Sequence, residues 1–304
     1  MDVTKDPANS NPGISTYDER LLADVHRAVG GPLNLLRELG RISEHLEPSV
    51  PANWLIKRVL FFTYELQSLV DSSSPERDRL AALNKFFFEE KKFVAVTEKT
   101  RIAEPANPYT LHKVMSERSG QPLVLAPLYN LLAERLGLKL EIVDFKPSCF
   151  LKWVEQGHSR FIDITREGAT LSSDELIEIL HSRFELASST AAQALEVFSF
   201  ESFMIRYVND LKTALMKSSR ASEYSADRLL FLQNILINYQ PSNMHWIGER
   251  AFLNRKLGNF KSALADLKRY FAFNDRERGP TEYVKLHDEL VLLLSRHDGA
   301  ESEL

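Results

Sequence analysis

Apolar positions recur along most of the chain at the three-and-four spacing of a helix buried on one side. Leu21, Leu22, Val25 and Val29 form a first stripe that stops at Gly30-Gly31-Pro32. Leu33, Leu35, Leu36, Leu39 and Ile42 form a second. Pro48 and Pro51 mark a loop, and Asn53 is placed to cap a third helix carrying Leu55, Val59, Phe62, Leu66 and Leu69. Asp71-Ser-Ser-Ser-Pro75 interrupts the pattern. Pro75, at a first helical position, opens a stripe of Leu80, Leu83, Phe86 and Phe87. Phe86-Phe87-Phe88 reads as core rather than as an exposed aromatic patch, because such clusters are mostly buried. Residues 91–106 are weakly periodic and read as a loop or an edge strand. Asn107, followed by Pro108, is placed to cap the next helix.

The pattern then changes. Leu125, Leu128, Leu132 and Leu136 share one helical face, and Gly137 ends that helix because positive φ costs glycine nothing. Pro122 suits a helix start. Pro127 either kinks the helix or shows that regular helix begins only near Val124. Leu138 to Val143, Phe150 to Val154 and Phe161 to Ile164 read as three strands, with Gln156-Gly157-His158 as a hairpin turn. Ser172 or Ser173 can cap a helix of Leu176, Ile177, Ile179 and Leu180. The fold class is therefore α+β, mostly helical, with a small antiparallel sheet.

Composition narrows the chemistry. With a formal charge of −4 and a pI near 6.1, the chain lacks the basic stripe of a general nucleic-acid binder. Its one cysteine excludes an internal disulfide and a Cys-based zinc site, and the histidines show no metal-ligand spacing, so neither metal nor cofactor is expected. The first residues contain no apolar signal core, and no run is long enough for a membrane span. A cytoplasmic location is expected. Residues 1–16 are polar and read as a disordered tail.

The helix from Gly120, the strands after it, Pro147-Ser-Cys-Phe-Leu151 and Phe161-Ile-Asp163 resemble the papain-like core of the transglutaminase-like superfamily. More narrowly, they resemble the SirB-type family, in which such a domain precedes tetratricopeptide repeats. That resemblance places the nucleophile's position at Pro122, the base's at Cys149 and the third catalytic position at Asp163. Pro122 has no nucleophilic atom and Cys149 no imidazole. The resemblance thus implies a fold kept without its chemistry, in which the three positions are vestigial. Cys149 reads as a buried apolar filler or, alternatively, as a relocated nucleophile for an amidase, peptidase or acyl transferase. Asp163 reads as a hydrogen-bonded structural carboxylate or as part of a cleft. Pro105-Ala-Asn107 echoes a family motif that makes Asn107 a binding candidate. Arg118 matches a recurrent family arginine and is open to two readings: an ion pair with Glu117 or Glu134, or recognition of a carboxylate.

From about residue 198 the chain is helical. Leu257-Gly-Asn-Phe-Lys-Ser-Ala263 resembles the turn and second-helix start of a tetratricopeptide repeat. Gly258 permits the turn, and Ala251 and Ala263 permit close approach of the two helices. Leu264, Leu267 and Tyr270 face a groove. Repeats of about 206–242 and 244–276 with a capping helix from Val284 to Leu294 are expected. The domain map is a tail over 1–16, a transglutaminase-like domain over 17–185 with its core at 80–185, a connection over 186–197 and repeats over 198–304. The expected function is a non-catalytic protein-interaction or regulatory module, with a protein or peptide partner at the repeat groove near Tyr270, and no nucleic acid or membrane.

Overall fold

The computed structural model describes residues 31–97, 100, 102–145, 148–184, 197–218 and 226–301. The tail, the first stripe, the segment near Arg220 and nearly all of the connection fall outside the described residues. Contacts group Ala28–Ser219 into one compact unit and Arg220–Leu304 into another.

In the first unit, α1 (Pro32–Leu46), α2 (Ala52–Leu69) and α3 (Glu76–Asn84) bury the expected stripes. Leu69 is an exception and is exposed. Asn53 does not cap α2. Pro51 is the N-cap, so Asn53 falls inside the first turn and faces solvent. Pro75 stands one place before α3 rather than within it. The helix then widens into a π segment, Lys85–Glu90, where the amide of Lys91 donates to the carbonyl of Phe86. This turns Phe86 and Phe87 fully inward, and Phe87 stacks on Phe93 and meets Tyr129 edge-on.

A short parallel pair, β1 (Val94–Ala95) and β2 (Ser119–Gly120), brackets a 3-10 turn at Asn107–Tyr109 and α4 (Leu111–Glu117). Helix α5 (Pro122–Arg135) follows. It starts at Pro122 and carries Pro127 within it, so it does not wait for Val124. Every residue from Pro122 to Ala133 is buried, which replaces the expected single buried face with a helix enclosed all round. It packs on α1, α2 and the sheet. Its end has the hydrogen bonds that satisfy orphan carbonyls: Gly137, at φ +73, donates to Glu134, and Leu138 donates to Ala133.

Among the described residues the sheet is a four-stranded antiparallel meander of β3 (Leu140–Phe145), β4 (Ser148–Glu155), β5 (His158–Asp163) and β6 (Ala169–Ser172). The sequence predicted three of these strands. Strand β6 was hidden because it runs straight into the cap of α6 (Ser173–Phe184). There Ser172 accepts from the Glu175 amide and Glu175 accepts from the Ser172 amide, a reciprocal capping box. Gln156 and Gly157, both at positive φ, make the tight β4–β5 turn. Val143, Phe145, Phe150, Phe161 and Leu171 pack with Leu176 and Leu180 of α6. By strand alternation Ile142, Leu151 and Ile162 lie on the other face, which packs on α5. Val197 bridges to Val143, and the Phe198 amide donates to Ile142, before α7 (Phe200–Met216). Helix α7 belongs to this first unit: its Tyr207 hydroxyl donates to the Tyr109 carbonyl.

The second unit holds α8 (Ala226–Tyr239), α9 (Met244–Lys256), α10 (Phe260–Phe273) and α11 (Thr281–Glu301), each packed on the next. Gly258 turns at φ +78 between α9 and α10, and Ala251 and Ala263 are fully buried between them. A polar ladder ties three helices together. Arg250 on α9 donates to both carboxylate oxygens of Asp266 on α10, at 3.0 and 2.6 Å, and to Asn234 on α8. Asn254 donates to Asp266 as well.

Two stability contrasts follow from this packing. Gly168 (φ +78) faces Asn84, whose Oδ1 would lie 2.0 Å from an added Cβ, whereas Gly157 (φ +83) faces open space. Gly157→Ala is expected to cost about 1–2 kcal/mol through strain alone. Gly168→Ala should cost about 1–3 kcal/mol beyond that, because Asn84 must move. Equal losses in urea titrations would refute the packing argument. Asp266→Ala leaves the Arg250 guanidinium, 18 % exposed, without its carboxylate and is expected to cost about 3–5 kcal/mol. Arg255→Ala, breaking the half-exposed pair with Glu289, should cost about 1 kcal/mol or less. Thermal melts of the two variants check the difference.

Candidate functional site

Pro122, Cys149 and Asp163 come from α5, β4 and the end of β5, three elements that the fold packs side by side. Pro122 is the first residue of α5, where a missing N–H leaves nothing unpaired. Cys149, the second residue of β4, shares a sheet face with Leu151, towards α5. Its thiol is fully buried. Burial pushes the thiol far above its ordinary range, and the negative charge of Asp163 pushes it further in the same direction. That is the reverse of what activates a cysteine, which needs positive surroundings and access to solvent.

Asp163 is buried and partnered. Its Oδ1 accepts from the Thr165 amide at 2.8 Å and from the Thr165 hydroxyl at 2.6 Å, capping the 3-10 turn Ile164–Arg166. His158 stands exposed at the far end of the same strand, about 17 Å away along it at ~3.3 Å per residue, so it is no base for Cys149. A serine–histidine contact exists elsewhere: Ser43 Oγ lies 2.7 Å from His112 Nδ1. Ser43 is fully buried, and its Oγ also accepts the His112 amide, so the contact ties α1 to α4 instead of presenting a nucleophile.

The binding candidates lie apart from these positions. Asn107 does not cap a helix with its side chain. Ala106 is the N-cap of the 3-10 turn, and Asn107 Nδ2 donates to Glu117 at 3.1 Å. Glu117 is thereby engaged. Arg118 instead places its guanidinium 5.0 Å from the Phe62 ring and 4.9 Å from the Phe93 ring. Tyr270 is half-buried against Phe271 and, edge-on at 4.8 Å, against Tyr283 of α11. Beside the start of α5, Ile102, Pro105, Tyr109, Gln121, Asp210 and Lys217 line a pocket of about 250 Å³. Among the described residues no group of three or more His, Cys, Asp or Glu side chains could hold a metal ion, and no helix is long and apolar enough to cross a membrane.

The family model of the transglutaminase-like superfamily matches residues 35–209, more than half of the chain. The chain belongs to that superfamily. Similar proteins include two described as UPF0162 proteins, from Xylella fastidiosa strains Temecula1 and 9a5c. They are 26 % and 25 % identical over 228 residues, covering 73 % of this chain and 78 % of each relative.

The state of Cys149 gives a pH prediction. Below about pH 9 the thiol is protonated both folded and unfolded, so its contribution to stability is fully present. Above that pH the unfolded chain ionises first, and stability is lost as pH rises towards the raised folded value. Tyr109, pushed up to about 12 chiefly by burial, adds to the same alkaline loss. Urea midpoints should fall above pH 9, and less steeply in Cys149→Ala. In the native protein iodoacetamide should leave Cys149 unmodified until unfolding.

Proposed function

We propose that this protein is a non-catalytic interaction or regulatory module: a transglutaminase-like pseudoenzyme core carrying a helical-repeat extension of SirB type that receives a protein or peptide. The observation that supports this reading is the fully buried Cys149 thiol, whose ionisation is opposed by burial and by the charge of Asp163; on the same reading the proline that starts α5 occupies the nucleophile position. Acyl transfer needs an accessible nucleophile held by a base, and these positions supply neither. The α9–α10 hairpin, with Gly258 at its turn and Ala251 and Ala263 between its helices, supports a tetratricopeptide reading of the second unit. Such helices commonly receive an extended peptide or a partner helix in their groove.

The domain map that goes with this reading assigns 17–185 to the transglutaminase-like domain, 186–197 to the connection and 198–304 to the repeat region. Helix α7 packs into the first unit, and on this reading the repeat region goes on through α8 to α11. A cytoplasmic location accompanies the single reduced thiol. Cysteine-dependent hydrolysis through Cys149 is the competing reading. Alkylation faster than that of a free thiol, with an apparent pKa below about 8.5, would establish it instead.

Partner capture tests the proposal. Full-length protein and a chain ending at Ser218 are used as baits with lysate from the source cell. The shortened bait should lose the captured protein while Cys149→Ala keeps it. Capture that survives removal of residues 219–304, or that depends on Cys149, would count against the proposal.

A further inference from the structure

Helix α2 turns Trp54, Arg58, Phe61 and Glu65, spaced four, three and four apart, along one outer stripe. Trp54 is 51 % exposed and Phe61 59 %, which is high for large rings. With Lys57, Phe62, Lys91 and Arg118 they line a pocket of about 530 Å³. That lies within the size range of small-molecule sites, roughly 300–1,000 Å³. None of Pro122, Cys149 or Asp163 lines it, so what it binds is independent of the catalytic question.

The pocket is electrostatically incomplete. Four of its side chains are cationic and one is acidic, a net of +3 in a chain whose formal charge is −4. The one acid, Glu65, is taken by Lys91 at 2.8 Å. Arg58 lies over the Trp54 ring at 5.4 Å. Arg118 forms a wall between Phe62 and Phe93, with its Nη1 buried and without an acceptor. Burial, and then the like charge of Arg58, lower the Arg118 pKa, while Glu65 opposes them. An anion would offset both by favouring the charged guanidinium.

The backbone points the same way. Arg118 ends α4 in the left-handed region, at φ +56, where glycine or asparagine is the usual occupant. The arginine accepts that conformation, and its side chain reaches the pocket wall.

We propose that this pocket binds a small organic anion, its carboxylate or phosphate held by Arg118 and Arg58 and its flat apolar body stacked on Trp54 and Phe61. A guanidinium fork matches either oxyanion, and exposed rings suit a planar partner.

Trp54 provides the reporter, because Trp153 and Trp246 are 4 % and 9 % exposed. Phenylacetate, phenyl phosphate and neutral phenylacetamide are titrated into the full-length protein, followed by tryptophan emission and calorimetry. At least one anion should bind saturably with a Kd below ~10 mM, and the amide at least about tenfold more weakly. The tighter of the two anions identifies the oxyanion. Added salt should weaken binding. Arg58→Gln, at an exposed position, and Arg118→Asn, which tolerates the left-handed helix end, should each weaken it about tenfold or more. Equal affinity for the amide, unchanged affinity in folded Arg58→Gln, or no saturable binding of either anion would overturn the proposal.

Discussion

Enclosing α5 is the constraint on which the first unit depends. Twelve consecutive residues, Pro122 to Ala133, are cut off from water, so every polar group among them needs a partner inside the protein. The helix supplies most backbone partners itself. The two polar side chains are each given one: the Tyr129 hydroxyl donates to Asn84 at 2.6 Å and Asn130 donates to the Leu140 carbonyl. Asn84 in turn donates to the Gly168 carbonyl, so one chain of hydrogen bonds joins α5, α3 and the loop before β6. The close approach at Gly168 exists because Asn84 must reach that loop.

This constraint separates folding from chemistry. A helix that starts inside a protein needs its first amides satisfied or absent. A proline at the first position meets that need by lacking an N–H, and the Gln121 amide before it donates to Pro108. A nucleophile at the same place meets a chemical need instead. The two needs are separate, and the start of α5 meets the folding one with Pro122.

Legibility in the sequence tracked how local the cause was. The stripes of α1 to α3, the end of α5 at Gly137, the Gln156-Gly157 turn and the Ser172 cap all arise from neighbouring residues, and all could be read. Asn53 and Asn107 were misread because a cap signal beside a proline is ambiguous. At Asn53 the preceding Pro51 takes the cap, and at Asn107 the side chain is drawn to Glu117. Strand β6 was missed because four residues that end in a capping box look like a helix start. The cationic pocket had no sequence signal. Its rings and charges come from α2, the end of the π segment and the end of α4, and no window of the chain contains them together. Pro122, Cys149 and Asp163 were singled out only through family resemblance, since nothing in their local sequence suggests chemistry.

Asp163 shows how the effect of a carboxylate depends on the group it acts on. A carboxylate next to an imidazole stabilises the protonated ring and holds its orientation, which helps a base take a proton. The charge of Asp163 disfavours the Cys149 thiolate, so it opposes reactivity there. Burial acts in the same direction, and the two together leave Cys149 an apolar filler on the face of the sheet that packs on α5. Asp163 has a structural role of its own, because its Oδ1 accepts from both the amide and the hydroxyl of Thr165 at the turn leaving β5. Asp163 is held in place by the backbone it caps.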